Sequence, residues 1–279
     1  MEYNPKSATA FLTAIQSRWN MQMKTSDVDA ISSDYQRCME QFATGDHAAA
    51  ERGLRALLDK HPDIAEAWYH LSLLLSFRKD SHGTEAALRE ALARAPDLAQ
   101  AHNNLGRLLM DSGRFEEAEA EFRAAVAHGP SLVESHYNLG LLLLRANRRT
   151  EAEAFLYQAI SLQPDFAAAY INLGALFLCN GRLDQAQRSL IRALELNPDS
   201  PAAHLTLGSA LLASGRVDEA IEHLAQGVRL EPDNEGGRHQ LYSALHRAGR
   251  PTEAEALYQG TPTGTTGSHR QRRDKKEGA

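Results

Sequence analysis

Twelve histidines and two cysteines are the side chains of this 279-residue chain that could most readily bind a metal or attack a substrate. Cys38 and Cys179 are far apart and form no CxxC pair, so they predict neither a disulfide framework nor a thiolate zinc site. His239 and His246 are seven residues apart, but two histidines without further ligands do not predict a metal centre. The sequence therefore predicts no bound metal and no cofactor.

Short motifs that carry enzyme chemistry are missing from the sequence. It contains no GxSxG nucleophile turn, no GxxxxGK[ST] or GxGxxG phosphate loop and no HExxH zinc motif. We therefore expect a protein that is not an enzyme.

Three asparagines recur with a constant spacing and could do a different kind of chemistry. Asn104, Asn138 and Asn172 are 34 residues apart, in the segments HNNLG, HYNLG and YINLG. A carboxamide offers one acceptor and two donors, which suits hydrogen bonding to the main chain of an extended peptide. The alternative is that these side chains only solvate their helices or bridge neighbouring ones.

The spacing of the asparagines belongs to a repeat that runs through most of the chain. Six prolines stand 34 residues apart, at Pro62, Pro96, Pro130, Pro164, Pro198 and Pro232. A fixed period of this length predicts stacked helical hairpins. With the third residue after each proline as position 1, the repeats span 31–64, 65–98, 99–132, 133–166, 167–200, 201–234 and a truncated 235–260.

Each repeat contains signals for two helices and a turn. Position 15 is glycine in five repeats and Asn147 in one, which predicts a left-handed residue that ends the first helix. Lys79 occupies this position in the second repeat, so we expect the turn to shift there. The Asp or Ser after each proline is predicted to cap the next first helix. His102, His136 and His204 all occupy position 4, where we predict that they are packing residues whose rings also have a polar edge.

The pattern of Leu at position 7, a small residue at 8, Ala at 20, Leu or an aromatic at 24, usually Ala at 27 and Pro at 32 resembles the tetratricopeptide repeat (TPR) family. The resemblance implies an all-α fold, a right-handed α-solenoid of about seven antiparallel helical hairpins. It also implies that positions 2, 5, 6, 9, 12 and 13 of the first helices line a peptide-binding groove. The groove residues predicted on this basis are Asn104, Asn138, Asn172, His70, Arg107, Arg145, Met110, Leu144 and Leu178.

Residues 65–232 are most similar to the repeat region of the protein O-GlcNAc transferase family and its bacterial relatives. The segments beginning at His102, His136 and Tyr170 carry that similarity. The catalytic glycosyltransferase domain of that family has no counterpart in this sequence. We therefore expect a non-enzymatic scaffold or adaptor that binds a protein or peptide in its groove. The alternative is a substrate-recruiting subunit for a separately encoded modifying enzyme, such as a glycosyltransferase.

Charge and the two ends of the chain complete the predicted organisation. The net charge is -6, and the basic residues of the last 19 positions leave residues 1–260 at -6 - 3 = -9, which disfavours nucleic acid as a partner. Residues 1–30 are predicted as an amphipathic capping helix and linker, and 261–279 as a disordered basic tail. With no secretory signal, no membrane span and few cysteines, we expect a cytoplasmic protein.

Overall fold

The computed structural model describes residues 25–258, and all regular structure within them is α-helical. These residues form two compact units that divide between Pro164 and Asp165. The helices of the first unit are α1 (Thr25–Ala43), α2 (His47–Lys60), α3 (Ala65–Phe77), α4 (Ser81–Arg94), α5 (Ala99–Asp111), α6 (Phe115–His128), α7 (Val133–Arg145) and α8 (Arg149–Leu162). Those of the second unit are α9 (Ala167–Cys179), α10 (Leu183–Leu196), α11 (Pro201–Ala213), α12 (Val217–Leu230), α13 (Glu235–Arg247) and α14 (Pro251–Ala256).

The helices follow the 34-residue period of the sequence. From α3 onward the first helix of each hairpin has 13 residues and begins at position 1, and a short turn leads to a second helix of 14 residues, except in the last hairpin. Each first helix packs on the second helix of its own hairpin. Consecutive helical hairpins are the fold that the repeat pattern predicts.

The close approach of the two helices within a hairpin depends on a small residue at position 8. A Cβ placed on Gly106 would lie 2.8 Å from two ring carbons of Phe122, and one on Gly174 would lie 2.5 Å from Cγ of Leu190. Phe122 and Leu190 occupy position 24 and are fully buried. Glycine is retained inside these helices, despite its low helix propensity, because any side chain would push the hairpin apart.

The turn between the helices of the second repeat does not shift, so that expectation was wrong. Lys79 adopts φ +60°, and Asn147 adopts φ +58° at the same position two repeats later. The corresponding glycines have φ values between +71° and +84°. Packing of α3 against α4 holds Lys79 in the left-handed region, although a side chain there costs about 1 to 2 kcal/mol.

Two kinds of side-chain contact occur at the starts of the first helices: an N-cap hydrogen bond and a bond from position 4 to the carbonyl of the preceding proline. Predicted capping by the residue after the proline was wrong, because the N-cap is one residue later, at Ile64, Leu98, Leu132, Phe166, Ser200 and Asn234. Only Ser200 and Asn234 of these cap with a side chain. The side chain at position 4 instead binds the proline carbonyl: Trp68 Nε1 donates to Pro62 at 2.8 Å, and His102 and His136 lie 2.9 Å from Pro96 and Pro130.

The predicted end segments lie mostly outside the described residues. Of the proposed capping segment 1–30, only residues 25–30 are described, and they form the first part of α1, which begins before the predicted first repeat at residue 31. The basic tail 261–279 lies outside entirely. The last second helix ends at Ala256, where Tyr258 packs edge-on against Tyr242 at 5.7 Å.

Replacing Lys79 with glycine should stabilise the first unit by about 1 kcal/mol, because glycine adopts the left-handed conformation without a Cβ clash. Urea denaturation followed by circular dichroism measures the change. Asn147→Gly is the matched control and should stabilise less, because asparagine tolerates this conformation better than lysine. Equal or negative effects at Lys79 would contradict strain at this turn.

Candidate functional site

The predicted groove residues lie on one face of the first helices, here called the groove face and defined by positions 2, 5, 6, 9, 12 and 13. In the first unit this face carries a ladder of hydrogen bonds between successive first helices. The ladder joins position 5 of one repeat to position 6 of the next, in the pairs Tyr35 and His70, Tyr69 and Asn104, and Asn103 and Asn138. Each pair is 35 residues apart, so one contact recurs with the repeat.

The ladder engages the asparagines of the first unit. Asn104 is buried and its Nδ2 donates to Tyr69 Oη at 3.3 Å, while Asn138 Nδ2 donates to Asn103 Oδ1 at 3.0 Å. Both side chains therefore bridge neighbouring helices, as the alternative interpretation of the sequence expected. Each bond uses one amide hydrogen, which leaves a second N–H and the carboxamide oxygen of each asparagine for another partner. Their role in binding stays a prediction.

His70 begins the ladder and is held on both sides. Its Nδ1 donates to the main-chain carbonyl of Glu66 at 2.7 Å and lies 2.8 Å from Tyr35 Oη. Burial lowers the pKa of His70, and the bond to the Glu66 carbonyl only partly offsets this. His70 is therefore a neutral ring that orders the ladder rather than a cation for ligand binding.

Sequence reasoning missed Tyr69 and Asn103, the position-5 partners of Asn104 and Asn138. Burial raises the pKa of Tyr69, while the bond from Asn104 and the charge of Arg107 act in the opposite direction. The signal was present as a polar residue 35 positions before each asparagine, but a pattern read within one repeat does not reveal a contact between repeats.

Charged side chains on the groove face of the first unit lack ion partners. Arg107 and Arg145 are exposed, as are Glu134 and Asp111, and none of the four forms an ion pair within residues 25–258. Arg145 instead places its guanidinium 4.4 Å from the ring centroid of Phe115. These charges remain available to a ligand.

At the starts of the second helices of the same unit, charged side chains are paired instead. We call these contacts the arginine seam: the N-cap residue Arg114 with Glu85 and Glu117, and the N-cap residue Arg148 with Glu119 and Glu151. Arg114 Nη1 lies 2.9 Å from both carboxylate oxygens of Glu85 in the preceding repeat. Arg148 makes the same contacts to Glu119 at 2.7 Å. Bonds to these carboxylates raise the pKa of both arginines. The seam thus uses its charges to join repeats.

The apolar part of the predicted groove is half-buried. Met110 and Leu144 pack against the core of the first unit and expose only part of their surface. At the start of the unit, Phe77 is 58% exposed and its ring lies 6.0 Å from Phe42 and 5.0 Å from His47. The first unit therefore offers both a polar ladder and apolar surface along the same helices.

In the second unit the groove face carries fewer charged side chains. Asn172 is half-buried and its Nδ2 donates to the Ala168 carbonyl at 2.9 Å, and Leu178 is also half-buried. Positions 2 and 9 of α9 and α11 hold Ala168, Ala202, Ala175 and Ser209. The predicted residues of this unit thus keep their positions on the face, and the exposed charge of this unit's groove face is Arg247, at position 13 of α13.

His102 forms an ion pair away from the ladder. Its Nδ1 lies 2.6 Å from Glu121 Oε2 on α6, and its ring stacks on His128 at 5.6 Å between centroids. Burial lowers the pKa of His102, but the bonds to Glu121 and the Pro96 carbonyl and the charge of Glu121 outweigh it, so the pKa is raised. The histidine joins the two helices of one hairpin.

Metal-binding groups and membrane-spanning helices were also sought among the described residues. No group of three or more His, Cys, Asp or Glu side chains within 25–258 is placed to hold a metal ion. Over the same part of the chain, no helix combines the length and apolar character that crossing a membrane requires.

Two family models, both of the tetratricopeptide repeat, match the chain. One matches residues 35–76, 80–133 and 104–165, and the other matches 143–208, 178–236 and 211–266. Together the matches extend from residue 35 to 266 with a gap at 77–79. Proteins built from this repeat are in general non-catalytic modules for protein interaction. No curated protein sequence matches the chain.

Solved structures with the same fold include a type IV pilus biogenesis factor, the protein pilF and a TPR protein with a peptide-binding site. The type IV pilus biogenesis factor PilW has 24% identity and a TM-score of 0.64, over 77% of this chain and 98% of its own. Pseudomonas aeruginosa pilF has 19% identity and a TM-score of 0.68, over 78% and 98%. YrrB, described as a TPR protein with an unusual peptide-binding site, has 22% identity and a TM-score of 0.58, over 70% and 97%.

A double-mutant cycle with Asn103→Ala and Asn138→Ala should give a coupling energy of about 0.5 to 1.5 kcal/mol in the free energy of unfolding, because the two side chains share one hydrogen bond. Urea denaturation of the four proteins measures it. As a control, Asn103→Ala combined with Gln158→Ala, an exposed residue of α8, should be additive. Additivity of the first pair would contradict the ladder.

The ion pair between His102 and Glu121 predicts a pH-dependent stability. The folded-state pKa of His102 lies above its ordinary value of 6.5, so the pair stabilises fully below that value and the contribution is lost as the pH rises through the folded-state pKa. Glu121→Gln should therefore destabilise more at pH 5 than at pH 8, as measured by urea denaturation. The same change at exposed Glu116 should show no such difference between the two pH values.

Proposed function

Because the chain belongs to the tetratricopeptide repeat family, we propose that it is a non-enzymatic scaffold or adaptor that binds an extended peptide segment of a partner protein on its groove face. The observation that carries the proposal is the division of charges in the first unit. Arg114 and Arg148, the N-cap residues of α6 and α8, are held in the arginine seam, whereas Arg107 and Arg145 on the groove face have no ion partner within the described residues.

Free charges on one face favour a ligand with polar and charged groups. A guanidinium binds a carboxylate or phosphate through two parallel hydrogen bonds, and Arg107 and Arg145 lie on successive first helices. Glu134 and Asp111 add negative charges on the same two helices. A peptide that carries both signs of charge therefore fits this face better than a uniformly charged polymer such as nucleic acid.

The hydrogen-bond ladder supports main-chain recognition. Asn104 and Asn138 are held by Tyr69 and Asn103, so little side-chain freedom is lost when a ligand binds. The free N–H and oxygen of each carboxamide complement the alternating carbonyl and N–H groups of an extended chain. Asn172 repeats the same position in the second unit, and His70 orders the first rung.

Apolar surface beside the ladder supplies contacts for peptide side chains. Met110 and Leu144 in the first unit and Leu178 in the second occupy position 12 and remain partly exposed. Burial of their exposed surface stabilises a complex at about 25 cal/mol per Å². The peptide-binding site described for YrrB, which shares this fold, supports the same class of ligand.

A displayed library of random peptides, selected on the full-length protein, tests the proposal. Fluorescence polarisation of an enriched peptide then gives the affinity of wild type and variants. Asn104→Ala with Asn138→Ala should weaken binding about tenfold, a loss of about 1.4 kcal/mol, and Arg107→Glu should do the same for peptides with acidic residues.

Arg52→Glu is the matched control for the charge reversal. Arg52 is an exposed arginine of α2 without an ion partner in the described chain, and it does not lie on the groove face. Its reversal should leave the affinity within a factor of two. Equal losses for Arg52→Glu and Arg107→Glu would mean that only net charge matters and would refute the site, as would failure to enrich any peptide.

A further inference from the structure

Tyr69 carries a hydroxyl hydrogen for which residues 25–258 supply no acceptor. Its Oη accepts the N–H of Asn104 at 3.3 Å, and this is the hydrogen bond that the side chain makes within those residues. The half-buried ring lies edge-on to His70, with centroids 5.2 Å apart, and packs on the core of the first unit. Since a phenol both accepts and donates, the position of Tyr69 is fixed while its donor is left for a ligand.

Arg107 is placed beside the same hydroxyl. It follows Asn104 by three residues on α5, so the two side chains lie on one face of that helix. Asn104 reaches Tyr69 Oη from this face. The guanidinium of Arg107 is exposed and forms no ion pair within residues 25–258. Two donors, a phenol O–H and a guanidinium, therefore stand next to each other on the groove face.

The charges around the Tyr69 hydroxyl favour an anion with a single negative charge. Burial raises the pKa of Tyr69, so the phenol keeps its hydrogen at neutral pH. The bond from Asn104 and the charge of Arg107 act against this shift. The charge of Glu134 on α7 raises the pKa, but its effect is smaller than that of Arg107. The hydroxyl thus experiences a net attraction for negative charge, while Glu134 opposes a second negative charge.

A carboxylate matches this pair of donors. Its two oxygens accept hydrogen bonds from two neighbouring groups, and hydrogen bonds to an ionised acceptor are about twice as strong as those between neutral groups. We propose that the Tyr69 hydroxyl and Arg107 bind the side-chain carboxylate of an aspartate or glutamate residue of the peptide. The inference rests on the proposed function, because it names one side chain of the ligand that the groove face binds.

The repeat framework does not require this combination. Position 5 is tyrosine in three repeats, but only Tyr69 is followed by an arginine at position 9 of the next repeat. After Tyr35 the equivalent residue is Leu73, and Tyr35 is 2% exposed with its hydroxyl 2.8 Å from His70. Asn103 occupies position 5 in the third repeat and forms its bond of the ladder without a phenol. The hydroxyl of Tyr69 is therefore free to be selected by a ligand.

Paired peptides test the inference on the full-length protein. A peptide enriched by selection is synthesised as it stands and with each acidic residue in turn replaced by the matching amide, and fluorescence polarisation gives the preference for the acidic form. Tyr69→Phe, which removes only the hydroxyl, should reduce this preference about tenfold at one position, because a hydrogen bond to a charged group is lost. Arg107→Gln, a change at an exposed residue, should reduce it at the same position. Phosphoserine at that position should bind more weakly than the acidic residue, because Glu134 opposes the second charge.

Tyr35→Phe is the matched control. It removes a hydroxyl of the same ladder one repeat earlier, beside Leu73 instead of an arginine, so the preference for the acidic peptide should stay within about a factor of two. An unchanged preference in folded Tyr69→Phe or in Arg107→Gln would overturn the carboxylate site while peptide binding stands, as would an enriched set without acidic residues or tighter binding of the phosphoserine peptide. A selection that enriches no peptide would refute the proposed function and the carboxylate site together.

Discussion

The contact between position 8 of the first helix and position 24 of the second is the constraint on which the rest of each hairpin depends. Where Gly106 faces Phe122, no room remains for even a Cβ, so the ring of Phe122 packs directly against the backbone of the first helix. The same contact recurs with Gly174 and Leu190 in the second unit. Because it fixes the hairpin, it also fixes which faces of the two helices are left for other contacts.

Because the hairpin repeats, polar residues at equivalent positions of successive repeats form the same hydrogen bond again and again, which gives a ladder. In the first unit a bond between position 5 and position 6 recurs every repeat on the first helices, and the arginine seam recurs on the second helices. The two ladders differ in chemistry. On the groove face, neutral side chains join successive first helices and leave carboxamide groups for a ligand. In the arginine seam, paired charges join the second helices of successive repeats. Surface ion pairs contribute little singly, but the seam joins several charges with bidentate geometry, the arrangement in which such pairs contribute most.

The sequence predicted the helices and their spacing well, because proline, glycine and the small residue at position 8 each have a local backbone or packing reason to recur. It failed where a tertiary contact overrides local preference. Lys79 takes the left-handed turn that glycine takes elsewhere, and Leu98 occupies an N-cap without a capping side chain. The partners of the asparagines, Tyr69 and Asn103, were also missed, since they lie one repeat earlier and show no signal within their own repeat.

The positions that packing does not constrain are where this chain differs from a uniform repeat. Position 8 is small in six of the seven hairpins of residues 25–258, but position 9 changes from Arg107 in α5 to Ala175 in α9, and position 13 is Arg145 in α7, Ala213 in α11 and Arg247 in α13. Position 23 likewise changes from Glu121 to His223 while its partner at position 4 stays histidine. Since helix packing accepts each of these residues, their identity is free to be selected by a ligand, and specificity is expected at such positions rather than in the repeated framework.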